Sequence, residues 1–330
     1  MIARLAAAFL FLLVVIGAAA GGAYLWFARE VLLPGPLVKE TTLVIMPGTG
    51  LSAISRQLEG AGVVMHARLF ELEARRSGQA RALKPGEYKF EPGVSIVAAL
   101  DKVVRHDVVV RFVTVPEGLV TAGIKRILGE APGLVGDVTA EVADGDLLPE
   151  TYRYEWGDSR AALVGRMRTA RDQTLAELWQ KRAPDLPVST PQEAVILASI
   201  VEKETGIASE RPRVAAVFIN RLKRGMKLQS DPTVIYGIAP DAGDLDRPIT
   251  RADLDAPNAF NTYIVTGLPP SPICHPGRAA LAAVLNPLPS DELYFVADGT
   301  GGHAFAATLA EHNKNVARWR KLERKMKTAP

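Results

Sequence analysis

A single cysteine, Cys274, stands in a chain of 330 residues, which excludes an internal disulfide and any zinc site built on several thiolates. Histidine is scarce as well. His275 lies between Cys274 and Pro276, His303 follows Gly301 and Gly302, and neither has a partner at metal-ligand spacing. No metal and no cofactor is expected from such a set. The sequence has no Walker-type phosphate loop, no dinucleotide fingerprint and no G-x-S-x-G nucleophile elbow, so nucleotide and serine-hydrolase chemistry are poor candidates. It also lacks long blocks of one charge. With 39 basic and 36 acidic residues the net charge is +3, and nucleic acid is not an expected partner.

What the chain does have begins with one uncharged run, residues 5–28 between Arg4 and Arg29, longer than the about 20 residues that cross a bilayer as a helix. Arg4 and the terminal amine precede it, while Arg29 is offset by Glu30. The positive-inside bias therefore places the N-terminus in the cytoplasm and everything after Val31 outside. Ala18, Ala19 and Ala20 would also suit a cleaved signal peptide, an alternative weighed down by a run longer than the usual apolar region of about 7–15 residues. Two prolines and a glycine in residues 33–36 read as a short stiff linker.

Beyond it a unit recurs at 43–64, 88–104 and 112–128: a short strand, a turn at Pro47, Pro92 or Pro116, then an amphipathic helix. A further helix is expected over Ala67–Arg76. The copies are unequal, which predicts a small α+β region and not a solenoid, with three plain packing units as the simpler account. The aromatics of LLPETYRYEWG at 147–157 suit either a sugar-stacking wall or domain-seam packing. A long amphipathic helix follows over 160–182. Ser189 or Thr190 caps the next one with Glu193 as capping-box partner, and Ser209 is the expected cap of a helix over 211–224. Residues 228–277 read as a long proline-rich irregular region, of the kind a compact domain keeps for a site. A strand over 293–297 and a helix from about 309 close an α+β chain.

LASIVEKET at 197–205 carries the candidate chemistry, because it sets two carboxylates at the end of a wholly apolar helical run. At about 100° per residue Glu202 and Glu204 point some 200° apart, so only one can enter a given cleft. Small residues flank Glu202 at helical spacing (Ala198, Ser199, Thr205, Gly206), whereas Glu204 sits over Leu197, Ile200 and Val201. The small face favours Glu202 as a general acid whose pKa is raised by burial. A solvated helix end, with Glu204 paired to Arg211 or Arg213, is the plainer alternative. Asp231 is first a turn or cap residue and second a further carboxylate. Thr233, Tyr236, Asn261, Thr262 and Tyr263 offer neutral hydrogen-bonding groups that suit a polyhydroxylated sugar or loop stitching.

These residues also carry a resemblance. ASIVEKET at 198–205, VFINRL at 217–222, LQSDPTVIYG at 228–237, NTY at 261–263, GLPP at 267–270, PG at 276–277 and YFVADGTGGHAF at 294–305 resemble the YceG-like endolytic murein transglycosylase family. The resemblance implies residues 1–36 as cytoplasmic tip, transmembrane helix and linker, 37–115 as a LysM-like α+β region, and 116–330 as a larger, mostly helical catalytic domain with a cleft. It implies cleavage of peptidoglycan within glycan strands, between N-acetylmuramic acid and N-acetylglucosamine, without water. The product is a 1,6-anhydro end, and the cut ends the growth of nascent strands. Glu202 matches the family's catalytic glutamate, with Gln229, Asp231, Thr233, Tyr236, Asn261 and Tyr263 lining the cleft. Partners implied are glycan strands, the bacterial inner membrane and peptidoglycan synthases, with the catalytic domain periplasmic. This chain has Glu150 in LLPETY where an aspartate is expected. A non-catalytic, membrane-tethered scaffold and a hydrolase using Glu202 with Asp231 as base are the competing functions.

Overall fold

The computed structural model describes residues 1–139 and 141–328, leaving out the side chains of residues 3, 327 and 328. The chain folds as two compact units. One comprises Met1–Arg111 with Pro132–Leu134 and Arg153–Asp158; the other comprises Phe112–Ala131, Val135–Tyr152 and Ser159–Pro330.

The first unit opens on α1 (Ile2–Glu30), whose stretch Arg4–Glu30 has a hydropathy of 2.4 and is long and apolar enough to cross a membrane. Its last turn behaves differently. Phe27 and Val31 enter a core with Leu37, Ile54, Leu58, Phe70, Tyr88 and Phe90. β1 (Thr41–Ile45) pairs antiparallel with β2 (Gly86–Phe90), Thr41 opposite Phe90 and Ile45 opposite Gly86. The helices α2 (Leu51–Gly60), α3 (Ala67–Arg76) and α4 (Ile96–Arg105) supply the rest of that core. Residues 33–36 do not form the expected free linker. The Gly35 N–H donates to the carbonyls of Gly93 at 3.3 Å and Val94 at 3.1 Å, and a Cβ there would lie 2.4 Å from the Val94 oxygen. Prolines stop the helix, but this close approach, open only to glycine, fixes the segment to the unit.

In the second unit β3 (Arg111–Thr114) pairs with β4 (Thr151–Tyr154), and α5 (Thr121–Glu130) and α6 (Arg160–Gln180) lead to α7 (Pro191–Glu204). Every residue of α7 from Ala194 to Val201 is buried, as an all-round apolar helix must be. Its start is built locally. Thr190 Oγ1 accepts the Glu193 N–H at 3.2 Å, Glu193 Oε2 accepts the Thr190 N–H at 3.4 Å, and Pro191 stands in the first turn. Leu197, Ile200 and Val201 share a core with Val214 and Phe218 of α8 (Arg211–Lys223) and Leu281 and Val284 of α11 (Arg278–Leu285).

The cap of α8 is Glu210, not Ser209, and the Glu210 carboxylate turns away to the His303 ring at 2.7 Å and the His303 N–H at 2.9 Å. The proline-rich stretch is less irregular than expected, because it holds α9 (Asp231–Ile238) and α10 (Arg251–Asp255). Pro232 opens α9 and a Thr250–Asp253 capping box opens α10. A hairpin of β5 (Tyr294–Ala297) and β6 (His303–Ala306) and the helix α12 (Leu309–Thr328) complete the unit.

Candidate active site

Glu202 and Glu204 leave the end of α7 in opposite directions, and their surroundings differ in kind. The Glu202 side chain is 4% exposed, and both of its oxygens are occupied: Oε1 accepts from Arg211 at 3.1 Å and Oε2 from the Gly277 N–H at 2.9 Å. Glu117, which the sequence reading overlooked, approaches the same guanidinium at 3.4 Å. It also lies so close to Gly277 that a Cβ there would sit 1.7 Å from Glu117 Oε1. Burial raises the Glu202 carboxyl above the usual range and Glu117 adds to this, while the Gly277 N–H and Arg211 pull it down. Direction of titration alone would still allow an acid here. Geometry argues against it, because no oxygen is left to meet a substrate and a fixed cation faces the group. The helix-neighbour argument for Glu202 weighed only residues of its own helix, whereas Arg211 and Gly277 arrive from α8 and the loop before α11.

Glu204 is the last residue of α7, and the chain beyond it is extended at Thr205. It lines a cavity of about 350 Å³ with Arg221, Gln229, Asp231, Tyr263, Phe295 and His312 among its other walls. Ser230 stands at the cap position of α9 without capping it; its hydroxyl donates instead to Glu204 Oε1. That leaves Oε2 for a transferable proton. Glu204 is partly exposed along the cavity, yet burial of its carboxyl is the largest influence and, with the nearby Asp231 charge, pushes it up to about 7. Ser230, His303 and Arg221 act in the opposite sense.

The cavity walls are held firmly. Tyr263 donates to Asp231 Oδ1 at 2.6 Å. Arg221, buried in α8, donates to the carbonyls of Leu293 at 2.7 Å and Leu228 at 2.6 Å, which fixes the approach to Gln229. Gln229 itself has a φ of 50°, a left-handed conformation that costs a non-glycine residue energy and tends to persist at functional loops. His312 stacks on Tyr294 with ring centroids 5.1 Å apart. Its Nδ1 is buried without a hydrogen-bond partner among the described residues, and burial and Arg221 lower its pKa, so the ring is neutral. Arg221 and His312 were not singled out from sequence; their spacing from Glu204 along the chain carries no local signal.

Of the six residues expected to line a cleft, Gln229, Asp231 and Tyr263 gather here, and on the side of Glu204. The other three are placed elsewhere. Thr233 is buried, its hydroxyl donating to the Ser230 carbonyl at 2.7 Å and lying 2.9 Å from Thr262. Asn261 is buried and ties the carbonyls of Leu254 at 3.0 Å and Ala256 at 2.9 Å. Tyr236 donates to Asp144 at 2.8 Å on a separate cavity of about 410 Å³. His275 is buried behind that cavity. Its Nδ1 accepts the Leu147 N–H at 3.1 Å while Nε2 meets the Thr121 hydroxyl at 2.9 Å, and burial lowers its pKa. A neutral structural ring is what these partners require.

The model of the YceG-like family matches residues 43–318. The chain belongs to the YceG-like family. Among curated relatives, the endolytic murein transglycosylase of Bacillus subtilis (strain 168) is 28% identical to this YceG-like chain, over 89% of each protein. The protein of the same name from Streptococcus pneumoniae (strain D39) is 28% identical over 84% of this chain and 58% of its own length. A crystal structure of a YceG-like protein from Listeria monocytogenes is similar at 28% identity and a TM-score of 0.50, covering 84% of this chain and 99% of that one.

Proposed function

We propose that this YceG-like chain is an endolytic murein transglycosylase that cuts peptidoglycan glycan strands internally between N-acetylmuramic acid and N-acetylglucosamine, with Glu204 in place of Glu202 as its acid and base. The relatives' names support the reaction class. The observation that carries the residue assignment is a carboxyl at about 7 on a cavity wall, with one oxygen held by Ser230 and the other free to react.

In this reading protonated Glu204 gives its proton to the glycosidic oxygen as the bond to the muramyl anomeric carbon breaks. The muramyl 6-hydroxyl then attacks that carbon and the Glu204 carboxylate takes its proton, leaving a 1,6-anhydro end and a carboxyl restored to its starting state. No water is consumed. Asp231, held by Tyr263, puts negative charge near the developing oxocarbenium ion. Gln229 and the neutral His312 supply hydrogen-bonding groups for the sugar hydroxyls. Asp231 on the same wall also favours a second reading, in which it activates water and the product is a reducing end.

The single apolar helix α1 fits a single-pass anchor in the bacterial inner membrane, N-terminus in the cytoplasm and the second unit in the periplasm. Placed there, the enzyme meets nascent strands beside the synthases that extend them, and its cuts end their growth. Mass spectrometry of muropeptides from digested sacculi tests the reaction: anhydro ends support it, reducing ends support hydrolysis by Asp231, and uncut strands contradict both.

A further inference from the structure

The largest of the described cavities is not the candidate active site. It lies in the first unit, about 640 Å³ in volume, lined by Trp26, Arg56, Glu59, His66, Ala67, Arg68 and Leu69. Trp26 belongs to the outer end of α1, Arg56 to α2, and Arg68 to the first turn of α3. Among the described residues neither Arg56 nor Arg68 has an ion pair or a side-chain hydrogen bond, and both are exposed. Glu59 is committed to the start of α3, where its Oε1 accepts the Ala67 N–H at 3.2 Å. Two unpaired guanidinium groups thus share one concavity with an exposed indole.

The level of this cavity follows from the packing of α1. Phe27 and Val31 lie in the core of the unit and Gly35 is bonded to it, so the unit is joined to the helix without a free linker. Trp26 precedes Arg29, the first charge after the apolar run, by three residues, about 4–5 Å along a helix axis. Tryptophan at that height sits in the headgroup layer of a bilayer. Met65 and Leu72, both exposed, flank Arg68, and Leu72 shares its helix face at i, i+4 spacing. Apolar side chains between basic ones are what a surface resting on anionic headgroups presents.

We infer that this cavity binds the phosphate diester of an anionic phospholipid in the outer leaflet of the membrane that α1 spans. Arg56 and Arg68 hold the phosphate oxygens and Trp26 packs beside the glycerol backbone. The inference rests on α1 being a retained membrane anchor. The test is native mass spectrometry of the full-length protein released from membranes of phosphatidylcholine and phosphatidylglycerol in equal parts. The wild-type chain is expected to retain one phosphatidylglycerol in preference to phosphatidylcholine. The Arg56→Gln/Arg68→Gln variant is expected to lose that preference by about tenfold or more, given two charge-assisted bonds removed, while Arg75→Gln on the same helix keeps it. Equal retention of both lipids, an unchanged preference in the double variant, or displacement by free glycerol phosphate at matched concentration would overturn the lipid site while leaving the anchor standing. The intact mass in the same spectrum reports on α1, and a chain recovered without it contradicts the anchor and, with Trp26 gone, the site too.

Discussion

At Glu204 the burial that brings a carboxyl near neutrality also weakens the fold. Its folded pKa of about 7 lies above the ordinary 4.5, so the folded chain holds this proton more tightly than the unfolded chain. The associated stability is complete below the unfolded value and is lost as pH rises through about 7, in an amount on the order of 3 kcal/mol. Glu204→Gln is therefore expected to flatten this loss, making the variant the more stable protein in urea unfolding at about pH 8, while activity falls by about 10²–10⁴. Asp231 raises the same pKa, so Asp231→Asn should move the alkaline limb of the activity profile to lower pH, which a pH–rate profile checks directly. Glu202→Gln should behave in the opposite way to Glu204→Gln. It leaves the buried Arg211 with only the 3.4 Å contact to Glu117, costing roughly 1–3 kcal/mol in unfolding experiments and keeping the chemistry within about tenfold. Which glutamate is the acid was not legible from neighbours along α7, because Arg211, Gly277 and Ser230 reach the two carboxylates from other elements.

Among the elements, α7 was the most legible and for a local reason. Thr190, Pro191 and Glu193 announce its start within four residues, and the apolar run after them fits only a buried helix. Thr190→Ala should cost about 1 kcal/mol in thermal or urea unfolding, since it removes half of the capping box. The prolines misled in two places. Pro232 opens a helix where an irregular loop was expected, and the stretch 33–36 is bonded into the first unit through Gly35. Proline fixes a φ angle and removes a donor, but whether a segment then packs or hangs free depends on partners distant in the chain. Likewise NTY at 261–263 reads as one polar motif, yet Asn261 ties a loop from inside while Tyr263 faces the cavity beside Asp231.

For the whole molecule, the family match over residues 43–318 takes in parts of both units, while α1 lies ahead of it. The division of labour proposed is an anchor fused to the first unit and chemistry confined to the second, where Glu204, Asp231, Tyr263 and Ser230 all reside. A cleft that accepts a strand along its length, with one proton shuttle, is expected to cut internally and leave no new reducing ends. The most direct test is muropeptide mass spectrometry of glycan strands digested by the wild-type protein, Glu204→Gln and Glu202→Gln in parallel. The account predicts 1,6-anhydro ends from wild type and from Glu202→Gln and none from Glu204→Gln; anhydro ends that persist in Glu204→Gln and vanish in a folded Glu202→Gln would contradict it.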